Sequence, residues 1–194
     1  ANGESVENLV FEQARLLKKI HGPKAALPVL TRLAQENSSS VEALSLLAQV
    51  QADCGDMISA EKTARKALET NPNDPEINLL LGRLLYKAGQ LDQSIVYLKL
   101  ATVSGDKSLE ALMELGRVYQ ARREFQTAIQ VYQQAIMLSP KSHQPYLAAG
   151  SVLREAKDYR GSEAMFRRAA ELAPEDVNIQ RQLGAVVALN LVYE

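Results

Sequence analysis

The sequence predicts an all-α protein, an α-solenoid of antiparallel helix pairs, about five pairs followed by one further helix. Three observations carry this. Gly82, Gly116, Gly150 and Gly184 lie 34 residues apart, and Pro140 and Pro174 keep the same step. A fixed period between about 20 and 50 residues marks a stack of like supersecondary units. Apolar residues recur at three- and four-residue steps, as one face of a helix requires, and nowhere does a period-two strand pattern dominate. Turn formers fall at constant phase between the apolar stretches. Such a stack buries its core between neighbouring units and leaves a long open surface instead of a closed pocket.

Aligned on the period, the chain reads as a single domain, 1–194, with units at 7–40, 41–74, 75–108, 109–142 and 143–176 and a partial sixth at 177–194. The first half of each unit is a helix of roughly 14 residues, as in Leu109 to Tyr119, whose apolar residues share one face. Gly55-Asp56, Gly89-Gln90, Arg123-Glu124 and Lys157-Asp158 break the pattern. A second helix follows, as in Phe125 to Ile136. Asn71-Pro72-Asn73-Asp74-Pro75, Ser139-Pro140 and Ala173-Pro174 close the units. Proline lacks an N–H and clashes with the preceding turn, so it cannot continue a helix. Neighbouring Asn, Asp and Ser can accept from the first N–H groups of the next one.

Small residues at fixed phase explain how the helices fit. Position 8 of the unit is Ala14, Ala48, Gly82, Gly116, Gly150 and Gly184, and position 20 is Ala26, Ala60, Ser94, Ala128 and Ser162. Glycine inside a helix costs about 1 kcal/mol relative to alanine, so its retention at one phase indicates close helix approach. Bulky residues recur at position 24 as Leu30, Leu98, Tyr132 and Phe166.

Composition excludes several classes of function. The net charge of −1 and pI near 6.2 give no bulk electrostatic reason to bind nucleic acid or an anionic membrane. No run approaches the ~18 apolar residues of a membrane span, so no direct membrane insertion is expected. Ala1 to Ser5 lacks the basic start and apolar core of a secretory signal. A single cysteine, Cys54, cannot form an intrachain disulfide, and the compartment stays open. His21 and His143 are the only histidines; both fall at helix boundaries, and Cys54 reads as a packed small residue near a helix end. No metal-ligand, phosphate-loop or nucleophile motif occurs. The expectation is a non-enzymatic chain without metal or cofactor. Asn37-Ser38-Ser39 matches a glycosylation acceptor, but Ser and Asn there serve equally as turn and cap residues.

Leu112, Leu115-Gly116, Tyr119, Ala128, Tyr132, Ala135 and Pro140 together resemble the tetratricopeptide repeat, and Tyr146, Gly150, Leu153, Ser162, Phe166, Ala169 and Pro174 follow the same pattern. The first two units depart from it, having no glycine at position 8. In this family the first helices line a groove, chiefly through positions 2, 5, 6, 9, 12 and 13. Carried over, the resemblance implies a surface of Phe11, Arg15, Gln49, Leu79, Arg83, Tyr86, Met113, Arg117, Leu147 and Arg154. Arginine forks pair with carboxylates, and adjoining apolar side chains can hold those of a peptide. The opposing reading pairs these arginines with neighbours such as Glu76 and Glu114. The family's clamp for a chaperone's terminal carboxylate is not reproduced: the first register offers Phe11 and Arg15, then Leu46, then Glu76 and Leu80, and the other two fare no better.

The resemblance implies a right-handed superhelical α-solenoid, and an interaction module or scaffold that holds a protein or peptide segment. The alternative is the targeting region of a larger enzyme, such as a transferase or kinase, whose catalytic domain lies outside this chain. The helix from Val177 to Glu194 looks apolar most of the way round. Its halt midway through a unit suggests a longer protein, and its apolar surface suggests a homodimer through 177–194.

Overall fold

The structure, a computed structural model, describes residues 2–103 and 108–193, with side chains from Asn8 onward. The described residues form helices joined by turns, without a strand. They fall into two compact units, 1–103 and 104–194.

The first unit holds α1 (Asn2–His21), α2 (Pro23–Glu36), α3 (Val41–Asp53), α4 (Met57–Thr70), α5 (Pro75–Lys87) and α6 (Leu91–Thr102). The second holds α7 (Ser108–Ala121), α8 (Phe125–Leu138), α9 (His143–Glu155), α10 (Tyr159–Leu172) and α11 (Val177–Tyr193). Within each unit every helix packs on the one before it, and first helices also touch, α3 against α5 and α7 against α9.

Two kinds of turn set this arrangement. Inside the pairs, Gly55, Gly89, Arg123 and Lys157 take left-handed backbone conformations, with φ of 86°, 75°, 63° and 65°. The next N–H then reaches back five residues, as from Glu124 to Tyr119 O at 2.9 Å and from Asp158 to Leu153 O at 2.9 Å. This closes the helix end and reverses the chain. Between the pairs, Ser40, Asp74 and Asp176 accept from the N–H groups of Ala43, Ile77 and Ile179. Each thereby satisfies an otherwise orphaned donor of the next helix.

Position 4 of the first helix adds a brace that periodicity alone does not announce. Asn78, Tyr146 and Gln180 donate to the carbonyls of Pro72, Pro140 and Pro174, six residues earlier in each case, at 3.0, 3.3 and 3.2 Å. Asn78 is fully buried and also donates to Asp74 O at 2.8 Å. A polar side chain at this phase therefore ties the inter-repeat turn to the helix it starts.

The glycines of position 8 sit where the paired helices cross. An added Cβ would lie 2.6 Å from Leu98 Cγ at Gly82, 2.4 Å from Tyr132 Cε1 at Gly116 and 2.9 Å from Phe166 Cδ1 at Gly150. Leu98, Tyr132 and Phe166 are fully buried. The small residues of position 20 complete the contact: Ser94 and Ser162 donate from Oγ to the carbonyls of Gly82 and Gly150, at 2.7 and 2.8 Å. Position 24 thus fills the space that position 8 vacates.

Candidate functional site: the face of the first helices

In the first unit, α1, α3 and the start of α5 enclose a depression of about 490 Å³. Arg15, Glu42, Ser45, Gln49, Asn71, Asp74 and Glu76 supply its polar lining, with Val41 and Leu46 beside them. Two of the expected surface residues, Arg15 and Gln49, meet here. Arg15 donates from Nη1 to Glu12 Oε1 at 2.8 Å, and its Nη2 lies 3.4 Å from Glu42 Oε1. Gln49 donates to Asp53 Oδ1 at 3.2 Å, and Lys18 pairs with the other Asp53 oxygen at 2.7 Å. The guanidinium is therefore already faced by two carboxylates, and Glu42, Asp74 and Glu76 outnumber it.

Phe11 and Leu79, also expected on this face, are each only 3% exposed. Phe11 packs with Leu33 and Ala43. On α1 and α5 these two side chains go to the core and offer a partner almost no contact surface. Arg83 and Tyr86 are half-buried on α5.

In the second unit, Met113 and Leu147 are half-buried and Arg117 is exposed. Arg117 pairs with Glu114 on its own helix at 3.2 Å. Arg154 donates to Gln182 across to α11, and its guanidinium carbon lies 5.8 Å from the Phe166 ring centre. Gln120 reaches Glu155 at 2.5 Å. These polar rungs join successive first helices. Exposed pairs of this type contribute less than about 1 kcal/mol each, so their main consequence is that most of the expected cations arrive with partners.

Glu114 is the partner that the opposing reading names for these arginines, and the structure pairs it with Arg117; the contacts between repeats follow from the period. Arg15 and Glu42 are 27 residues apart, and Lys18–Asp53 and Gln120–Glu155 are 35 apart. The period displaced by about two turns or by one residue marks contacts between neighbouring units.

Among the described residues no group of three or more His, Cys, Asp or Glu is placed to hold a metal ion. No described helix is long and apolar enough to cross a membrane. Cys54 is half-buried just past the end of α3 and packs against the core.

Paired helices repeating in phase, with first helices touching within each unit, define a helical-repeat interaction protein. Models of the tetratricopeptide repeat match residues 11–75, 55–113, 109–142 and 143–176. The chain belongs to the tetratricopeptide repeat family and is a protein–protein interaction module. None of the curated protein sequences matches it. Among solved structures it is similar to MamA from Desulfovibrio magneticus RS-1, 20% identical, with 88% of this chain and 97% of that one covered and a TM-score of 0.78. It is also similar to YrrB, described as a TPR protein with an unusual peptide-binding site, at 18% identity, 89% of each chain and a TM-score of 0.72. The pilF protein of Pseudomonas aeruginosa is 14% identical over 100% of this chain and 94% of that one, with a TM-score of 0.82. At these identities the likeness is one of fold.

Proposed function

We propose that the chain binds a protein segment on the face of its first helices, and that the depression between α1, α3 and α5 is the principal contact. The segment that fits carries a lysine or arginine beside apolar side chains. One observation carries the choice: three carboxylates, Glu42, Asp74 and Glu76, line the depression against the single guanidinium of Arg15. Arg15 is itself compensated by Glu12 and Glu42. A cationic side chain entering here meets an excess of acceptors, whereas an entering carboxylate would have to displace an existing pair.

Val41 and Leu46 supply apolar contact next to those acceptors, and Ser45 and Gln49 supply hydrogen-bonding groups. Within the second unit, taken by itself, Met113 and Leu147 are half-buried apolar side chains of the first helices. The test is selection of peptides from a random library on the wild type and on Glu42→Lys/Glu76→Lys. Wild-type binders should be enriched in Lys and Arg, should weaken with added salt, and should lose at least tenfold in affinity for the variant at unchanged helicity. Binders without basic enrichment, or indifferent to the reversal, would refute the reading.

A further inference from the structure

The pair that joins the first two repeats recurs one period later with only its acid. Arg15, at position 9 of the first repeat, reaches Glu42, at position 2 of the second, with Nη2 3.4 Å from Oε1. One period on, the same two positions are Gln49 and Glu76, again 27 residues apart. Both line the depression. Gln49 is neutral and donates to Asp53 at 3.2 Å. Glu76 is exposed and has no hydrogen-bond or ion-pair partner among the described residues. The other two carboxylates are engaged. Glu42 faces Arg15, and Asp74 caps α5, accepting from the Ile77 N–H at 3.0 Å with its second oxygen 3.5 Å from Asn71 Nδ2.

A second substitution shapes the gap. Arg15 is also held by Glu12, at position 6 of its own helix, at 2.8 Å. In the second repeat that phase is Leu46, half-buried in the lining of the depression. A cation placed where the period expects one therefore meets a free carboxylate, Glu76, and an apolar side chain. That combination suits a long alkyl stem ending in a charge, whose methylenes cover Leu46 while its head reaches Glu76.

We propose that the ligand supplies the missing cation. A lysine or arginine side chain of the bound segment takes the place that the repeat gives to Arg15, with Glu76 as its counter-ion and Leu46 beside its stem. Glu76 and Gln49 then determine specificity, the first by its charge and the second by withholding one. Glu42, already paired, contributes less. This subsite rests on the depression's preference for a basic segment and identifies the residues that read it. An exposed pair of this kind is worth up to about fivefold in affinity, so it selects among segments that apolar contacts already hold.

The test is calorimetric titration with a peptide selected by the wild type and with the same peptide carrying norleucine in place of its lysine or arginine. Norleucine should cost about fivefold on the wild type and nothing on Glu76→Gln, the coupling that a direct contact requires. Gln49→Arg should close the subsite from within. It should weaken the basic peptide about fivefold with helicity and the norleucine peptide unaffected, whereas Gln49→Met should not. If the selected peptides carry no basic residue, or norleucine binds the wild type equally well, the preference for basic segments falls and the subsite with it. If the cation is required, but to the same extent in Glu76→Gln and Gln49→Arg, the subsite alone is refuted. An equal loss in Gln49→Met and Gln49→Arg refutes it too.

Discussion

Replacing Gly116 by alanine separates two effects that act in opposite directions. Alanine favours the helix by about 1 kcal/mol over glycine. The new methyl would lie 2.4 Å from Cε1 and 2.5 Å from Cζ of Tyr132, a ring that is fully buried and cannot swing into solvent. Forcing such a contact in a packed core costs about 3 kcal/mol at the upper end of overpacking penalties. The net expectation is a loss of about 2 kcal/mol, seen as a fall in Tm of about 4–8 °C by circular dichroism. Gly184→Ala is the matched control, because its methyl meets nothing within 4 Å. There only the propensity acts, and protection of the α11 amides should rise. Ala14 and Leu30 occupy these same two phases in the first repeat and share its core, so leucine adapts to a Cβ that a rigid ring cannot. Tyr132→Leu should therefore lower the cost of Gly116→Ala by about 1 kcal/mol in a double-mutant cycle. A neutral or stabilising Gly116→Ala would refute the claim that helix approach is what the recurring glycine provides.

Ser162→Ala should cost about 1 kcal/mol, since it removes a buried hydroxyl that donates to Gly150 O at 2.8 Å while leaving a side chain that Ala60 and Ala128 show to fit. Urea unfolding with an unchanged slope would measure it. Lys157→Gly should stabilise by about 1 kcal/mol, because Lys157 holds the left-handed conformation that glycine adopts at residues 55 and 89; a Tm unchanged or lowered would count against it. Asp56 is held below the usual carboxylate range by its side-chain and backbone hydrogen bonds with Ser59, and Glu163 by its hydrogen bonds with Arg167 and Asn190. Both folded-state values are depressed, so their stabilisation is complete above the ordinary range near pH 4 and is lost as pH falls through the lowered values. Amide exchange at the start of α4 and along α11 should accelerate there relative to the intrinsic rate, and protection maintained once both carboxyls are protonated would contradict the assignment.

The fold was legible because its determinants lie at constant phase. Gly116 and Tyr132 are chemically unlike, yet each recurs with the period, and the structure brings the two phases together. Arg123 and Lys157 were legible as breaks only because Gly55 and Gly89 hold the same place; neither is a turn former by type. The brace at position 4 was missed for the converse reason. Asn78, Tyr146 and Gln180 share a donor but neither size nor polarity, and Leu44 and Leu112 at the same phase have no donor at all. A function carried by one atom leaves little trace in residue type.

The candidate site was less legible because its electrostatics depend on relations between phases. Position 9 repeats arginine at residues 15, 83 and 117, which suggests a row of receptors for carboxylates. In the structure Arg15 is faced by Glu42 from the next repeat, and Arg117 by Glu114 from its own helix. A guanidinium so placed is a poor anion receptor, because an incoming carboxylate gains only the difference between its own pair and the one it breaks. The acceptors that remain are carboxylates at the start of α3 and α5. On the proposed reading, selectivity on this face would be set by the charge left after neighbouring repeats have paired, and around Arg15 that charge is negative.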